Sequence, residues 1–242
     1  MPRKAAQPSL ADRQAAPGGA AAVDRALCLL GAFRAGDKTL SLSELAARTQ
    51  LYKSTAMRLL ASLEHARLLL RNDEGRYALG PEVARLHGIY AATFSLEVEV
   101  VPVLRELVVK TRESAAFHIR QGDQRLCLYR VDSPHVVRDH IRAGDLLPLN
   151  RGAGGRVMMA LAGAKGAIYD SIRREGVAVV SGDRVPELTG IAAPVFGRDG
   201  TVVGVVTLSM PTPRMRHEFV PAVRKAAEAL TARLGGTPKP VA

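Results

Sequence analysis

The chain has 242 residues, with 34 Lys and Arg against 23 Asp and Glu, for a formal charge of +11. At 47% hydrophobic and 24% charged residues it has globular composition, which excludes a wholly disordered chain. No run approaches the roughly 18–20 apolar residues that span a bilayer, and the N-terminus has no apolar signal-peptide core, so neither membrane insertion nor secretion is expected.

In chain order, residues 1–21 are rich in Ala, Pro, Gly, Arg and Lys without periodicity, which predicts a flexible basic tail. Val23, Ala26, Leu27, Leu30 and Phe33 recur at helical spacing and predict a first helix, with Gly36 as its stop. Ser41-Leu42-Ser43-Glu44 has capping-box spacing and opens a short second helix ending near Gln50. Ser54 is expected to cap a third helix running to about His65. Its apolar side carries Ala56, Leu59, Leu60 and Leu63, and its polar side Thr55, Arg58, Ser62 and His65. Residues 68–71 and 76–79 read as strands around the turn Asn72-Asp73-Glu74-Gly75.

Pro81 opens another helix, and residues 96–111 read as helical, interrupted or restarted at Pro102. From Ser114 the period changes to two. Two hairpins follow, one turning at Gln121-Gly122-Asp123-Gln124 and one at Gly197-Arg198-Asp199-Gly200. A final amphipathic helix uses Phe219, Val223, Ala227, Leu230 and Leu234. The sum is an antiparallel sheet with covering helices, an α+β fold.

The basic charge points first to nucleic acid, but it is spread over both halves and does not locate a site. The third helix can. A major groove about 12 Å wide admits one α-helix. Lys53, Ser54 and Thr55 stand at the helix N-terminus, where free backbone N–H groups and the helix dipole favour phosphate. Arg58 and Ser62 follow on the polar side, and Arg71 and Arg76 flank the hairpin turn, placed to contact DNA as a wing.

Further on, Arg151-Gly152-Ala153-Gly154-Gly155-Arg156 precedes an apolar helical start. Backbone donors in such a loop can hold a carboxylate, although a loop of this kind is more often a tight structural turn. The loop lacks the Lys-Ser/Thr pair of a phosphate-binding Walker loop. There is no Gly-x-Ser-x-Gly elbow and no His-Glu-x-x-His. His135 and His140 lie near Asp132 and Asp139 without a Cys or third His, so no metal is expected. No catalytic residue or cofactor is nominated. The two cysteines, Cys28 and Cys127, form neither a disulfide framework nor a Cys-x-x-Cys site, and a reducing cytoplasm is expected.

Several runs, in this order, resemble the IclR family of bacterial transcriptional regulators. They are Val23-Asp24-Arg25-Ala26-Leu27, Leu42-Ser43-Glu44-Leu45-Ala46, Leu51-Tyr52-Lys53-Ser54-Thr55 with Arg58-Leu59-Leu60, and Gly75-Arg76-Tyr77-Ala78-Leu79-Gly80-Pro81. The back half adds Leu147-Pro148-Leu149, Ala153-x-Gly155-Arg156, Ala192-Ala193-Pro194-Val195 and the closing helix. The resemblance covers about residues 22–236. It implies a winged helix-turn-helix over 22–80, a linker helix over 81–95 and a GAF-like effector-binding domain over 96–236, with 237–242 as a tail.

The resemblance makes the third helix the recognition helix and the 72–75 turn the wing tip. It sets Ala153 and Gly154 on a ligand-contacting loop, Thr207 where a strand serine often stands, and Gly190 where a ligand-side cysteine often stands. Leu147, Leu149 and Met159 are candidates to line the same pocket and serve equally as plain core. Two departures fall at Gln50 and Arg67, where the family usually has Gly after a helix end. An acidic residue expected after Gly176-Val177-Ala178 is also missing, so ligand identity is not carried over.

The expected function is a cytoplasmic, ligand-responsive transcriptional regulator, not an enzyme. It would bind double-stranded operator DNA as a homodimer, with a tetramer compatible with the resemblance, and answer to a small, carboxylate-bearing effector. The alternative is a small-molecule-binding module that acts through protein contacts without reading DNA.

Overall fold

The computed structural model describes residues 8–34, 36–93 and 96–237. The chain divides into two compact units, with the boundary between Thr93 and Phe94. The first contains α1 (Leu10–Arg13), α2 (Ala21–Leu30), α3 (Leu42–Thr49), α4 (Lys53–His65), β1 (Leu69–Arg71), β2 (Tyr77–Leu79) and α5 (Pro81–Thr93). Leu29, Leu45, Ala56, Leu60 and Leu69 are fully buried where α2, α3 and α4 meet the hairpin. Leu40 extends that hairpin, exchanging backbone hydrogen bonds of 2.8 and 2.7 Å with Tyr77.

The capping box of α3 forms in both directions: Glu44 N donates to Ser41 Oγ at 3.2 Å, and Ser41 N to Glu44 Oε2 at 2.7 Å. Gln50 then turns left-handed at φ 58°, and the buried Leu51 anchors the connection. This tight turn starts α4 at Lys53 with Tyr52 as N-cap, without a side-chain cap bond. The expectation that Ser54 caps this helix is corrected, since Ser54 lies inside the first turn.

Arg67 also turns left-handed, at φ 56°, after α4. The turn lies against another part of the chain. A Cβ on Gly80 would sit 2.2 Å from the Arg67 carbonyl oxygen, so only glycine lets the two segments meet.

The expected flexible tail over 1–21 is also corrected in part. Ser9 caps the one-turn α1, Ala11 is buried, and Arg25 pairs with Asp12 at 2.8 Å. Arg13 donates to the Gln50 side chain, so residues 9–13 are tied to α2 and to the turn after α3. A local capping box and one small apolar residue give no periodicity to detect. Residues 1–7 of that tail, 238–242 of the C-terminal tail and 94–95 of the expected linker helix lie outside the described residues.

The second unit contains α6 (Leu96–Thr111), β3 (Ser114–Gln121), β4 (Gln124–Val131), β5 (Leu146–Pro148), α7 (Gly152–Leu161), α8 (Ala167–Glu175), β6 (Ala178–Ser181), β7 (Leu188–Phe196), β8 (Val202–Pro211), a 3-10 turn and α9 (Phe219–Arg233). Helix α6 runs through Pro102 without a break. The missing N–H falls opposite the carbonyl of Val98, a residue 69% exposed, where water can replace it.

The six strands are antiparallel in the order β5-β4-β3-β8-β7-β6. Ala115, Phe117, Val206, Leu208, Ile191 and Ala193 face α6 and α9. On the other face Ala192 and Val205 pack under α7 and α8. One irregularity sets the polar character of that face. The β3–β4 register shifts at Phe117 and His118, so Cys127 opposes His118 while Arg130 opposes Ala116. The bulge brings Arg125, Cys127 and Arg130 to one face although strict alternation from Arg125 would turn Arg130 away.

Three substitutions at these positions change stability. Arg67→Gly relieves a left-handed side-chain residue and raises unfolding free energy by about 1 kcal/mol. Gln50→Gly gains less, because Arg13 loses its acceptor. Gly204→Ala places a Cβ 2.3 Å from Phe117 Cζ and lowers stability by about 1–3 kcal/mol. Urea unfolding midpoints check all three; an unchanged midpoint for Gly204→Ala contradicts the close approach.

Candidate functional site

Each unit carries one concave surface that gathers candidate residues. In the first, Ser54, Thr55, Arg58 and Ser62 of α4 face Ala22 and Arg25 of α2 across a groove of about 390 Å³. Lys53, Ser54, Arg58 and Ser62 are exposed, and Thr55 is half-buried. The first turn of α4 contains no acidic residue, so its free N–H groups keep their attraction for an anion. Met57 and Tyr52, 55% and 66% exposed, stand beside these polar groups. Neither was singled out from the sequence, where an apolar side chain on a helix reads as core.

The two wing arginines differ. Arg71 lies over the Tyr77 ring, 5.8 Å from its centroid. Arg76 donates to Thr39 Oγ1 at 2.9 Å, to the Thr39 carbonyl at 3.2 Å and to Glu44 Oε2 at 3.0 Å. It ties β2 to the capping box of α3. Its guanidinium is engaged within the unit, unlike that of Arg58.

In the second unit a cavity of about 50 Å³ opens on the α7 face of the sheet. Ala153, Gly154, Gly190 and Thr207 line it, together with His118, Arg125, Arg130, Asp139, Asp183 and Arg184. Of the remaining sequence candidates, Leu149 and Met159 belong to the apolar cluster around α7, and Leu147 packs with Ala116, Cys127 and Ile141. Those three are built into packing beside the cavity.

The glycine-rich segment has a packing reason. Arg125 lies beneath it, its Nη1 donating to the carbonyls of Pro148 and Arg151. A Cβ on Gly155 would lie 2.7 Å from Arg125 Nη1, and one on Gly154 would lie 2.8 Å from Thr207 Cγ2. A carboxylate does meet the segment, but it is the protein's own. Gly152 N donates to Asp183 Oδ2 at 2.7 Å, and Arg156 Nη2 meets Asp183 Oδ1 at 2.8 Å. The Arg156 hydrogen bond holds the Asp183 carboxyl below its ordinary value.

Burial, reinforced by Arg125, Arg130 and Arg184, pushes the His118 imidazole down to about 3. It is neutral at pH 7. Burial also lowers Arg125, to about 10, and the neighbouring Arg184 adds to this, yet it stays charged. Arg184 pairs with the buried Asp139 at 2.7 Å. These charged residues escaped sequence reasoning because the bulge re-aims Arg130, while Asp139, Asp183 and Arg184 arrive from distant loops. The available signal was a pair of arginines, Arg125 and Arg130, bracketing the apolar run 126–129 of one strand. Among the described residues, no three His, Cys, Asp or Glu side chains converge on a metal-sized site, and no helix is long and apolar enough to cross a membrane.

Comparisons with known proteins agree with this architecture. The IclR helix-turn-helix domain matches residues 22–73, and the bacterial transcriptional regulator IclR C-terminal domain matches residues 90–168 and 167–232. A glycerol operon regulatory protein of Streptomyces coelicolor is 26% identical, over 88% of this chain and 96% of its own length. The HTH-type transcriptional regulator Rv1719 of Mycobacterium tuberculosis is 29% identical, over 82% of this chain and 85% of its own.

Among solved structures, a Silicibacter sp. TM1040 protein assigned to the ICLR transcriptional regulators has a TM-score of 0.78 at 28% identity, covering 90% of this chain and 98% of its own. An IclR homologue of Microbacterium hydrocarbonoxydans, complexed with 4-hydroxybenzoate, shares the fold with a TM-score of 0.77 at 21% identity, covering 88% and 98%. This chain therefore belongs to the IclR family of transcriptional regulators, with a helix-turn-helix DNA-binding domain near its N-terminus.

Proposed function

We propose that the chain is a ligand-responsive regulator in which α4 reads operator DNA and a small organic acid, held in the sheet-face cavity, alters that binding. Residues 22–80 act as the DNA-binding domain, 81–95 as the linker helix and 96–236 as the effector-binding domain. The observation that carries the DNA reading is the exposed row Lys53, Ser54, Arg58 and Ser62 on a helix with no acid in its first turn. Thr55 completes the row from the groove wall. Arg71 supports it from the wing, and Arg76 contributes by holding the wing in register.

One short reading helix gives little sequence specificity, so the working form is a homodimer on a roughly two-fold operator. The effector reading rests on Ala153, Gly154, Gly190 and Thr207 sharing one cavity with buried cations. The 4-hydroxybenzoate bound by the Microbacterium homologue is an organic acid, which supports this class of effector. The role is regulatory rather than enzymatic, exercised in the cytoplasm where the DNA is.

Arg58→Ala and Thr55→Ala are expected to weaken operator binding about tenfold each, with circular dichroism unchanged. Wild-type affinity should fall by roughly 10³-fold or more between low and moderate salt. Gel-shift titrations read both effects, and normal binding by both variants contradicts the recognition-helix assignment. Thr207→Val is expected to raise the effector concentration needed for a half-maximal DNA response about tenfold. An unaltered effector titration counts against the cavity.

A further inference from the structure

The cavity holds three buried polar atoms with no hydrogen-bond partner among the described residues: His118 Nε2, Arg125 Nε and Asp139 Oδ1. Each belongs to a side chain at most 3% exposed that lines the cavity. Interiors leave few such atoms unpaired, so three around one opening describe what a ligand must bring.

Their donor and acceptor roles can be assigned. The Thr207 hydroxyl donates to the Ala116 carbonyl at 3.2 Å. Having no second hydrogen, it accepts from His118 Nδ1 at 3.1 Å. The neutral His118 ring therefore carries its proton on Nδ1, and Nε2 is an acceptor. Asp139 Oδ1 is also an acceptor; His140 Nδ1 lies 4.0 Å away, beyond hydrogen-bond reach. Arg125 Nε is a donor.

Charge narrows the class further. Asp139 is paired with Arg184, Asp183 with Arg156, and Arg130 with Asp132. Arg125 meets only carbonyl oxygens, and no carboxylate stands within ion-pairing distance of it among the described residues. The cavity thus presents one uncompensated buried cation, which favours a single negative charge. The opening is small, at about 50 Å³, which favours a short compound over a long one.

On the reading of this cavity as the effector site, we propose that the ligand is a small hydroxylated monocarboxylate, its carboxylate accepting from Arg125 and its hydroxyls donating to His118 Nε2 and Asp139 Oδ1. A plain short acid would satisfy Arg125 and leave both acceptors unpaired. A dicarboxylate would set its second charge against Asp139. An ammonium could donate, but it would enter beside the guanidinium groups of Arg125, Arg130 and Arg184.

Calorimetric titration of the full chain with propionate, lactate, glycerate and glycerol tests this. Affinity should rise about tenfold with each added hydroxyl from propionate to lactate to glycerate. Glycerol, which has hydroxyls but no charge, should bind at least 100-fold more weakly than glycerate. Asp139→Asn should cut the preference of glycerate over propionate about tenfold, since the Arg184 charge it frees acts on both acids alike. If that variant does not fold, the wild-type series still decides. Propionate binding as tightly as glycerate, or no binding by glycerate, overturns the inference. Gly190→Val, which fills the cavity floor beside Ala153, separates the two levels: acids that bind without preference but are lost in this variant leave the cavity reading standing, whereas binding that survives it removes that reading too.

Discussion

The guanidinium of Arg125, 3% exposed, lies under the first turn of α7 and donates to the carbonyls of Pro148 and Arg151. A buried cation needs donors satisfied and space made for it, and both demands propagate outward. Space comes from Gly154 and Gly155, where a Cβ would press on Thr207 and on Arg125 itself. With α7 held so close, Ala153 reaches Gly190 of β7, and a cavity remains between the helix start and the strands. Its polarity follows from the β3–β4 bulge, which sets Arg130 beside Arg125 and leaves His118 facing inward. The carbonyls that hold Arg125 leave its charge without a carboxylate partner among the described residues.

The first unit is organised by contacts local in space but not in sequence. Arg76 spans from the hairpin to Thr39 and Glu44, so the wing and the capping box of α3 position one another. The left-handed residues Gln50 and Arg67 then fix how the chain enters and leaves α4. Both are strained relative to glycine. In return the helix presents Lys53, Ser54, Arg58 and Ser62 to solvent, with Ala56, Leu60 and Leu63 sealing it to the core.

Much of this was legible in the sequence. The Ser41–Glu44 spacing gave a capping box and the 72–75 run the wing turn, while the missing glycines left Gln50 and Arg67 to turn left-handed or end their helices differently, and both turn left-handed. Period-two alternation revealed the central strands. What stayed hidden depends on non-local geometry. Strict alternation puts Arg125 and Arg130 on opposite faces, and only the bulge brings them together. Asp139, Asp183 and Arg184 come from loops whose paths no periodicity encodes. The one-turn α1 is too short to show a pattern, and Tyr52 rather than Ser54 caps α4 because the turn at Gln50 fixes where the helix begins.

Helix α4 is proposed to read DNA and the cavity to hold an acid, and the DNA reading can be measured without knowing the ligand. Recovery and sequencing of genomic fragments bound to the purified protein at two salt concentrations is the most direct measurement. The account predicts discrete, roughly two-fold symmetric sites enriched at low salt and lost as salt rises. Uniform recovery without sequence preference, or no salt-sensitive retention at all, would contradict it.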